Sequence, residues 1–304
     1  MDRVIFMLII LSLSIVVLST KRVKHFRNQS SVLVVVYETD LTNSHLSDLK
    51  ASLKKNAYNH SILTDKKWNG FGGKIKKIQS YLRTLDPNQL VVVSDARDVL
   101  SVNFNSSEFV SAVHEKVEIE SKVIVSTEIG CCVPAKHKPG DLRTTNGKVL
   151  KRTYDKGDVE NQDSKWKQMF SQRATSKKIQ HPVAHKQSIY LNAGIYCGKA
   201  KNILSIYKLM NIADKEDDQL IMSEIFYHYP NKFHLDYNRE LFSNSHVWDS
   251  FNKKPVDQDT GCFYEKDSSG KVRDTYVNSI PFFIHTPGKH FKCYDHVKTL
   301  IKSQ

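Results

Sequence analysis

Two aspartates stand three positions apart at the end of an apolar run, Leu90-Val91-Val92-Val93-Ser94-Asp95-Ala96-Arg97-Asp98. A continuous apolar, β-branched run reads as a strand buried on both faces. In open α/β sheets ligands gather beyond the carboxyl ends of the strands, which is where Asp95 and Asp98 would stand. Paired carboxylates suit a hard divalent cation, and such a cation suits a diphosphate. The plainer reading of Asp-x-x-Asp after a strand is a turn or a helix cap. The remainder of the chain has to decide between them.

Four other places carry residues with chemical potential. Trp68-Asn69-Gly70-Phe71-Gly72-Gly73-Lys74 precedes a helical pattern at Ile75, Ile78, Tyr81 and Leu82. Glycines before a helix start, followed by Lys, let backbone amides and an ammonium meet a phosphate. The spacing is not that of a Walker A loop, and a flexible connection with a surface lysine accounts for the stretch equally well. Glu128 closes another candidate strand, Lys122–Ser126 followed by Thr127. Asp217-Asp218-Gln219 opens a helical pattern, where acids ordinarily serve as caps or dipole partners. His285 follows the apolar Ile280–Ile284. One His at a strand end is ordinarily just hydrogen-bonded. If it converged with Asp95 and Asp98, an Asp, Asp, His set would leave positions open for diphosphate oxygens. The nitrogen ligand would then shift preference from Mg²⁺ towards Mn²⁺.

The elements that must position these residues follow from periodicity. Val32–Val36 reads as the first strand of a parallel sheet, and Ser44–Lys55 as a helix with Leu46, Leu49 and Leu53 on one face and Ser44 as its cap. Ile62 and Leu63 suggest a short second strand. Strand, helix, strand is the opening of a doubly wound α/β domain. Phe109–Val117 and Ile203–Met210 read as further helices. Residues 136–187 are strongly polar and read as a long insertion rather than a second core. Ile189–Tyr196 is an apolar pattern broken by Asn192-Ala193-Gly194, and Asn252–Lys271 suggests a surface hairpin.

With 304 residues, 40% of them hydrophobic, the chain can bury a large core, and disorder throughout is excluded. The net charge of +13 could favour nucleic acid, an anionic membrane or a phosphorylated ligand. Its lysines are scattered, and no helix-turn-helix, RRM or zinc-finger pattern accompanies them, so a solvated basic surface fits better and no nucleic-acid partner is expected. Five cysteines, Cys131, Cys132, Cys197, Cys262 and Cys293, are not spaced as a zinc site. One or two disulfides are compatible with the secretory pathway.

Val4–Leu18 is an almost unbroken apolar run followed by Lys21, Arg22, Lys24 and Arg27. Fifteen helical residues span about 22 Å, which suits a signal-peptide core or a short anchor. The expected organisation is a signal or anchor at 1–20, a stem at 21–30 and one domain at 31–304. Sequons at Asn28, Asn59 and Asn105 agree with exposure in the endoplasmic reticulum or Golgi lumen, anchored or secreted.

Taken in order, these motifs resemble the glycosyltransferase domain of the procollagen lysyl hydroxylase (PLOD) family. The pieces that carry the resemblance are Val32–Thr39, Gly72-Gly73-Lys74, Ser94–Val99, Ser126-Thr127-Glu128, Tyr190–Gly194, Asp217–Leu220, and Ile284-His285 with Gly288. The resemblance implies a GT-A type fold, a Rossmann-like, mostly parallel α/β sheet binding a UDP-sugar and Mn²⁺. It implies Asp95, Asp98 and His285 as metal ligands. Val36, Tyr37 and Arg97 would border the nucleotide, with Lys74, Asn192, Gly194 and Gly288 around the donor. Asp217 and Asp218 would face the transferred sugar and the acceptor, and Glu128 would belong to the acceptor side. The expected reaction is transfer of galactose or glucose from UDP-galactose or UDP-glucose to hydroxylysine of collagen-like chains. A GT-A transferase acting on another hydroxyl, or an inactive binding module of the same fold, are the alternatives. The chain departs from the family in two places. Arg97 stands where the lysyl hydroxylases carry a Tyr that stacks on uracil, and Thr286-Pro287 replaces Gly-Asn after the His. No room is left within 304 residues for an iron- and 2-oxoglutarate-dependent hydroxylase domain, so lysyl hydroxylation is not expected.

Overall fold

The computed structural model describes residues 31–116, 119–130, 142–143, 149–150, 165–177, 188–245, 248–249, 254–255, 261–288 and 290–302. The leader, the stem with its Asn28 sequon, Cys131, Cys132 and most of the 136–187 insertion lie outside the described residues. Among the described residues, no helix is long and apolar enough to cross a membrane.

In chain order the strands of three residues or more are β1 (Leu33–Tyr37), β2 (Asn59–Leu63), β3 (Leu90–Ser94), β4 (Val99–Ser101), β5 (Val123–Glu128), β6 (Tyr190–Lys199), β7 (Phe233–Leu235), β8 (Phe242–Asn244), β9 (Tyr264–Lys266), β10 (Val272–Asp274) and β11 (Phe283–His285). The helices are α1 (Ser44–Lys55), α2 (Phe71–Leu82), α3 (Ser106–Lys116), α4 (Lys165–Ser176), α5 (Ala200–Met210), α6 (Asp218–His228) and α7 (Phe291–Lys302). The main sheet runs β2-β1-β3-β6-β5-β7. Its pairs are parallel except the two that β6 makes with β3 and β5. The α/β expectation, with a mostly parallel sheet flanked by helices, is met.

Side chains of a strand alternate between faces, so each apolar strand feeds two cores. Val35, Val91 and Val93 pack with α2, α5 and α6 on one face. Val34, Val36 and Val92 pack with α1, α3, Phe242 and Phe283 on the other. A second, three-stranded sheet, β8-β11-β4, continues from the end of β3. It is backed by α7 and the β9–β10 hairpin, which a Cys262–Cys293 disulfide ties together. Cys197 is a free thiol buried in the main sheet.

Three local readings are corrected. The α1 cap is Asn43, whose side chain accepts from the His45 and Leu46 amides, and not Ser44. Gly72 and Gly73 lie inside the first turn of α2 rather than before it. Asn192-Ala193-Gly194 does not break its apolar pattern, because β6 is one ten-residue strand through them. Its polar Asn192 is accommodated where the β5–β6 register shifts between Val125 and Thr127. Within the polar insertion, α4 sends Trp166 and Phe170 into the main core, where both are almost fully buried.

Candidate active site

Three strand ends meet beyond β3. The Asp95 amide donates to the Gly194 carbonyl of β6 at 2.7 Å, continuing the β3–β6 ladder by one residue. Only four residues separate β3 from β4, so Asp98 is carried directly onto the second sheet. There β4 pairs antiparallel with β11, setting Val99 opposite His285. The Thr286 amide then donates to the Asp98 carbonyl at 2.7 Å. Gly194 makes room for the imidazole, since a Cβ there would lie 2.7 Å from His285 Nε2 and closer still to Cε1. The result is that Asp95, Asp98 and His285 each present a ligand atom, all within 4.8 Å of one another.

The fit of this set to a cation is written in the histidine. His285 Nε2 lies 3.5 Å from Asp98 Oδ2 and 4.0 Å from Asp95 Oδ2, and makes no hydrogen bond although it is fully buried. A buried polar atom without a hydrogen bond carries a desolvation cost. Two carboxylates and one imidazole are a donor set suited to a divalent metal with open positions. Burial opposes charge on the ring, but Asp98 and Asp95 outweigh it and raise its pKa, which is the same pull that a cation would feel.

Lys74 takes the other side of Asp95. Its ammonium sits 3.0 Å from Asp95 Oδ1 and 2.6 Å from Asp218 Oδ2, with its side chain only 7% exposed. Burial works against that charge, but Asp218 and Asp95 more than offset it and hold the pKa above the ordinary lysine range. Lys74 is therefore a strut between a metal-ligand candidate and α6, not a surface lysine. The glycines before it serve close packing. The Gly72 amide donates to the Asp214 carbonyl at 3.0 Å, and a Cβ on Gly72 would lie 2.6 Å from the Ala213 carbonyl carbon. Asp217 is the N-cap of α6, accepting from the Leu220 amide at 3.0 Å. Burial, then the neighbouring Asp218 charge, push its pKa to about 6. Burial also raises the Asp218 carboxyl, against the pull of Lys74.

Glu128 forms a third group at the β5–β6 irregularity. Asn192 donates to its Oε2 at 3.0 Å and Gln219, on the first turn of α6, to its Oε1 at 2.6 Å. Part of the side chain reaches solvent, but the carboxyl is ringed by protein, and burial pushes its pKa to about 7 against those two donations. Asn192 Oδ1 meanwhile accepts from the Gly194 amide at 2.9 Å. Asn192 and Gly194 thus link the Glu128 carboxyl to the Asp, Asp, His set.

The residues expected at the nucleotide lie farther along the same sheet edge. Val36 and Tyr37 end β1, beside Ser94 of β3. The Tyr37 hydroxyl donates to Asp65 at 3.1 Å and its ring packs 5.8 Å from Trp68. Arg97 is half exposed and held flat by two bonds to Glu38, at 2.6 and 2.7 Å. Gly288 lies in the turn after β11 with φ of +69°, a conformation that favours glycine. Sequence reasoning passed over Gln219, Glu38 and Asn244. Gln219 adjoins the acidic pair already noted, and Glu38 follows the first strand. Asn244 carried no signal beyond being an amide after the apolar Leu241-Phe242.

Comparison with known proteins agrees with the resemblance. Residues 168–301 match the family model described as the PLOD GT domain. The chain carries a PLOD-like glycosyltransferase domain. The matched residues include Asn192, Gly194, Asp217, Asp218 and His285, whereas Lys74, Asp95, Asp98 and Glu128 lie before them. A multifunctional procollagen lysine hydroxylase and glycosyltransferase of Caenorhabditis elegans is 26% identical over 109 residues, 36% of this chain and 14% of that protein. Among solved structures, a glycosyltransferase involved in glycosylation of the major capsid of PBCV-1 aligns with a TM-score of 0.44 at 10% identity. That alignment covers 88% of this chain and 99% of the other. The 2-C-methyl-D-erythritol 4-phosphate cytidylyltransferase of Francisella tularensis aligns at 0.35 and 12% identity, covering 68% and 89%.

Proposed function

We propose that this glycosyltransferase moves galactose or glucose from UDP-galactose or UDP-glucose to a hydroxyl acceptor, hydroxylysine of collagen-like chains, with Mn²⁺ bound by Asp95, Asp98 and His285. The observation that carries the reading is the convergence of those three side chains, with the His285 Nε2 unbonded, beside enclosed carboxyls of raised pKa. A bound cation would neutralise charge on the departing diphosphate. The residues of the chain do the rest. Glu128, with a pKa of about 7, can take the proton of an acceptor hydroxyl near neutral pH. Asp218, held 2.6 Å from the Lys74 ammonium, sets a carboxyl beside a developing oxocarbenium centre. Arg97, held by Glu38 with one face to solvent, offers a flat cation on which a base can stack. Asn192, Gly194 and Gly288 shape the sugar side of the cleft.

The apolar leader, the sequons and the Cys262–Cys293 bridge support a place in the secretory lumen. The test is a panel of UDP-sugars with Mn²⁺, with and without a hydroxylysine-bearing collagen-like peptide, reading released UDP. UDP-galactose or UDP-glucose should respond to the peptide, and Asp95→Ala should abolish the response. No release from any UDP-sugar under either condition would overturn the reading.

A further inference from the structure

A metal-binding histidine needs its lone pair on the right nitrogen, and a second hydrogen bond ordinarily decides which nitrogen that is. Here the partner is Asn244. It ends β8 and stands in parallel register with His285 at the end of β11, and both are almost fully buried. The Asn244 amide is engaged at both ends. Its Nδ2 donates to the Thr127 carbonyl at 2.7 Å, and its Oδ1 lies 2.7 Å from His285 Nδ1. A carbonyl only accepts, so the amide nitrogen must face Thr127 and the amide oxygen must face the imidazole. That oxygen also only accepts, so Nδ1 must carry the hydrogen. The neutral ring then has its lone pair on Nε2, the nitrogen aimed between Asp98 and Asp95 without a hydrogen bond. The opposite tautomer would set two acceptors against each other at 2.7 Å.

We propose that Asn244 is a positioning residue that locks His285 as its Nδ1–H tautomer, so that Nε2 is presented to a divalent cation held with Asp95 and Asp98. Because Thr127 precedes Glu128, the same amide also ties the strand of the acceptor-side carboxyl to the metal set. The inference rests on the metal reading above, so its test includes a readout that needs no metal.

Histidine-labelled, metal-free protein at alkaline pH, where the ring is neutral, is read by ¹⁵N NMR for the tautomer of His285. Mn²⁺ affinity is read by calorimetry. Wild type should show the Nδ1–H tautomer. Asn244→Ala should mix the tautomers and weaken Mn²⁺ binding by about 10- to 100-fold, the usual effect of losing such a partner. Asn244→Asp keeps an acceptor for Nδ1 while losing the bond to Thr127, so it should keep the tautomer and most of the affinity. Ser243→Ala is the structural control. Ser243 is bonded to Tyr264, Asp274 and Arg239, so this variant should lose stability but neither tautomer nor affinity. An Nε2–H ring in wild type, or Asn244→Ala with wild-type affinity and tautomer, would overturn the proposal. Should Asn244→Ala fail to fold, the wild-type tautomer and Asn244→Asp still decide it. A wild type without affinity for any divalent cation would remove the metal reading alone, since the tautomer is read without metal.

Discussion

At Gly194 a hydrogen where other residues carry a methyl group decides whether His285 can face Asp95 and Asp98. Gly194→Ala would set its Cβ 2.7 Å from Nε2, and the ring must turn away because the backbone beneath it is fixed by the β3–β6 ladder. Calorimetry should find Mn²⁺ affinity at least about tenfold lower, as when the support of a metal ligand is lost. Undiminished affinity would mean that His285 is not a ligand. Glu128 makes a prediction of opposite character, because its cost is paid in protons. Its pKa rises from 4.5 to about 7 on folding, so the folded protein holds the proton more tightly than the unfolded chain. The stabilising contribution is complete below the unfolded value and is lost as pH rises through about 7. The loss is at most about 3 kcal/mol. Thermal melts of metal-free protein across this window should fall more steeply for wild type than for Glu128→Gln, and parallel curves would contradict the shift. If Glu128 is the base, wild-type kcat/KM should rise through the same window. The chemistry-bearing residues themselves were legible as types at strand ends and helix starts. Asn244 and Gln219 were not, because an amide identifies itself only through the atoms it bridges.

At the scale of elements, the site depends on how closely α2 approaches the segment before α6. Gly72 packs against the Ala213–Asp214 backbone, and that approach delivers Lys74 to Asp218 and Asp95. Gly72→Ala must push α2 outward, at a cost of about 1–3 kcal/mol for overpacking against a rigid neighbour. Gly73→Ala meets only the Asn69 side chain, at 3.0 Å, and should cost less. Lys74→Met leaves the buried Asp218 and the half-buried Asp95 without their cation, and breaking such a buried pair costs about 3–5 kcal/mol. Urea titrations should therefore rank the variants Gly73→Ala, Gly72→Ala, Lys74→Met in increasing damage. A lysine variant that unfolds like wild type would make Lys74 a surface residue after all. The apolar strands and the helices with leucine or isoleucine every third or fourth position could be read from the sequence, because burial dictates that spacing. The run through Asn192-Ala193-Gly194 misled because its polar side chain is satisfied across an irregular strand pair. The burial of Trp166 and Phe170 carried no signal because they sit among lysines, and a polar stretch does not reveal two large rings turned inward.

For the molecule as a whole, the sequence could be read for compartment only through short patterns, and the fold changes their weight. The Asn105 sequon begins α3 as a capping box: Asn105 Oδ1 accepts from the Ser107 and Glu108 amides, and Glu108 accepts from the Asn105 amide. Its Asn and Ser107 are exposed, whereas in the Asn59 sequon Ser61 is bonded to the Tyr81 hydroxyl inside the sheet edge. A lumenal protein should therefore carry a glycan at Asn105 in preference to Asn59. Ser107→Ala removes this sequon without touching the cap, so it should lose one glycan on endoglycosidase analysis and keep its melting temperature. The disulfide argues the same way from a distant part of the fold. Cys262 and Cys293 join the β9–β10 hairpin to α7 across 31 residues of chain, behind the small sheet that bears His285. A bridge of this kind contributes about 2–4 kcal/mol, and only in an oxidising compartment. Protein secreted from eukaryotic cells should melt above its Cys293→Ser variant, and a reductant should bring wild type down to meet it. If the reductant leaves wild type unchanged and Ser107→Ala migrates as wild type does, both arguments for the secretory lumen fail together. The glycosyltransferase reading would survive, because Asp95, Asp98 and His285 are brought together by strand pairing that needs neither modification.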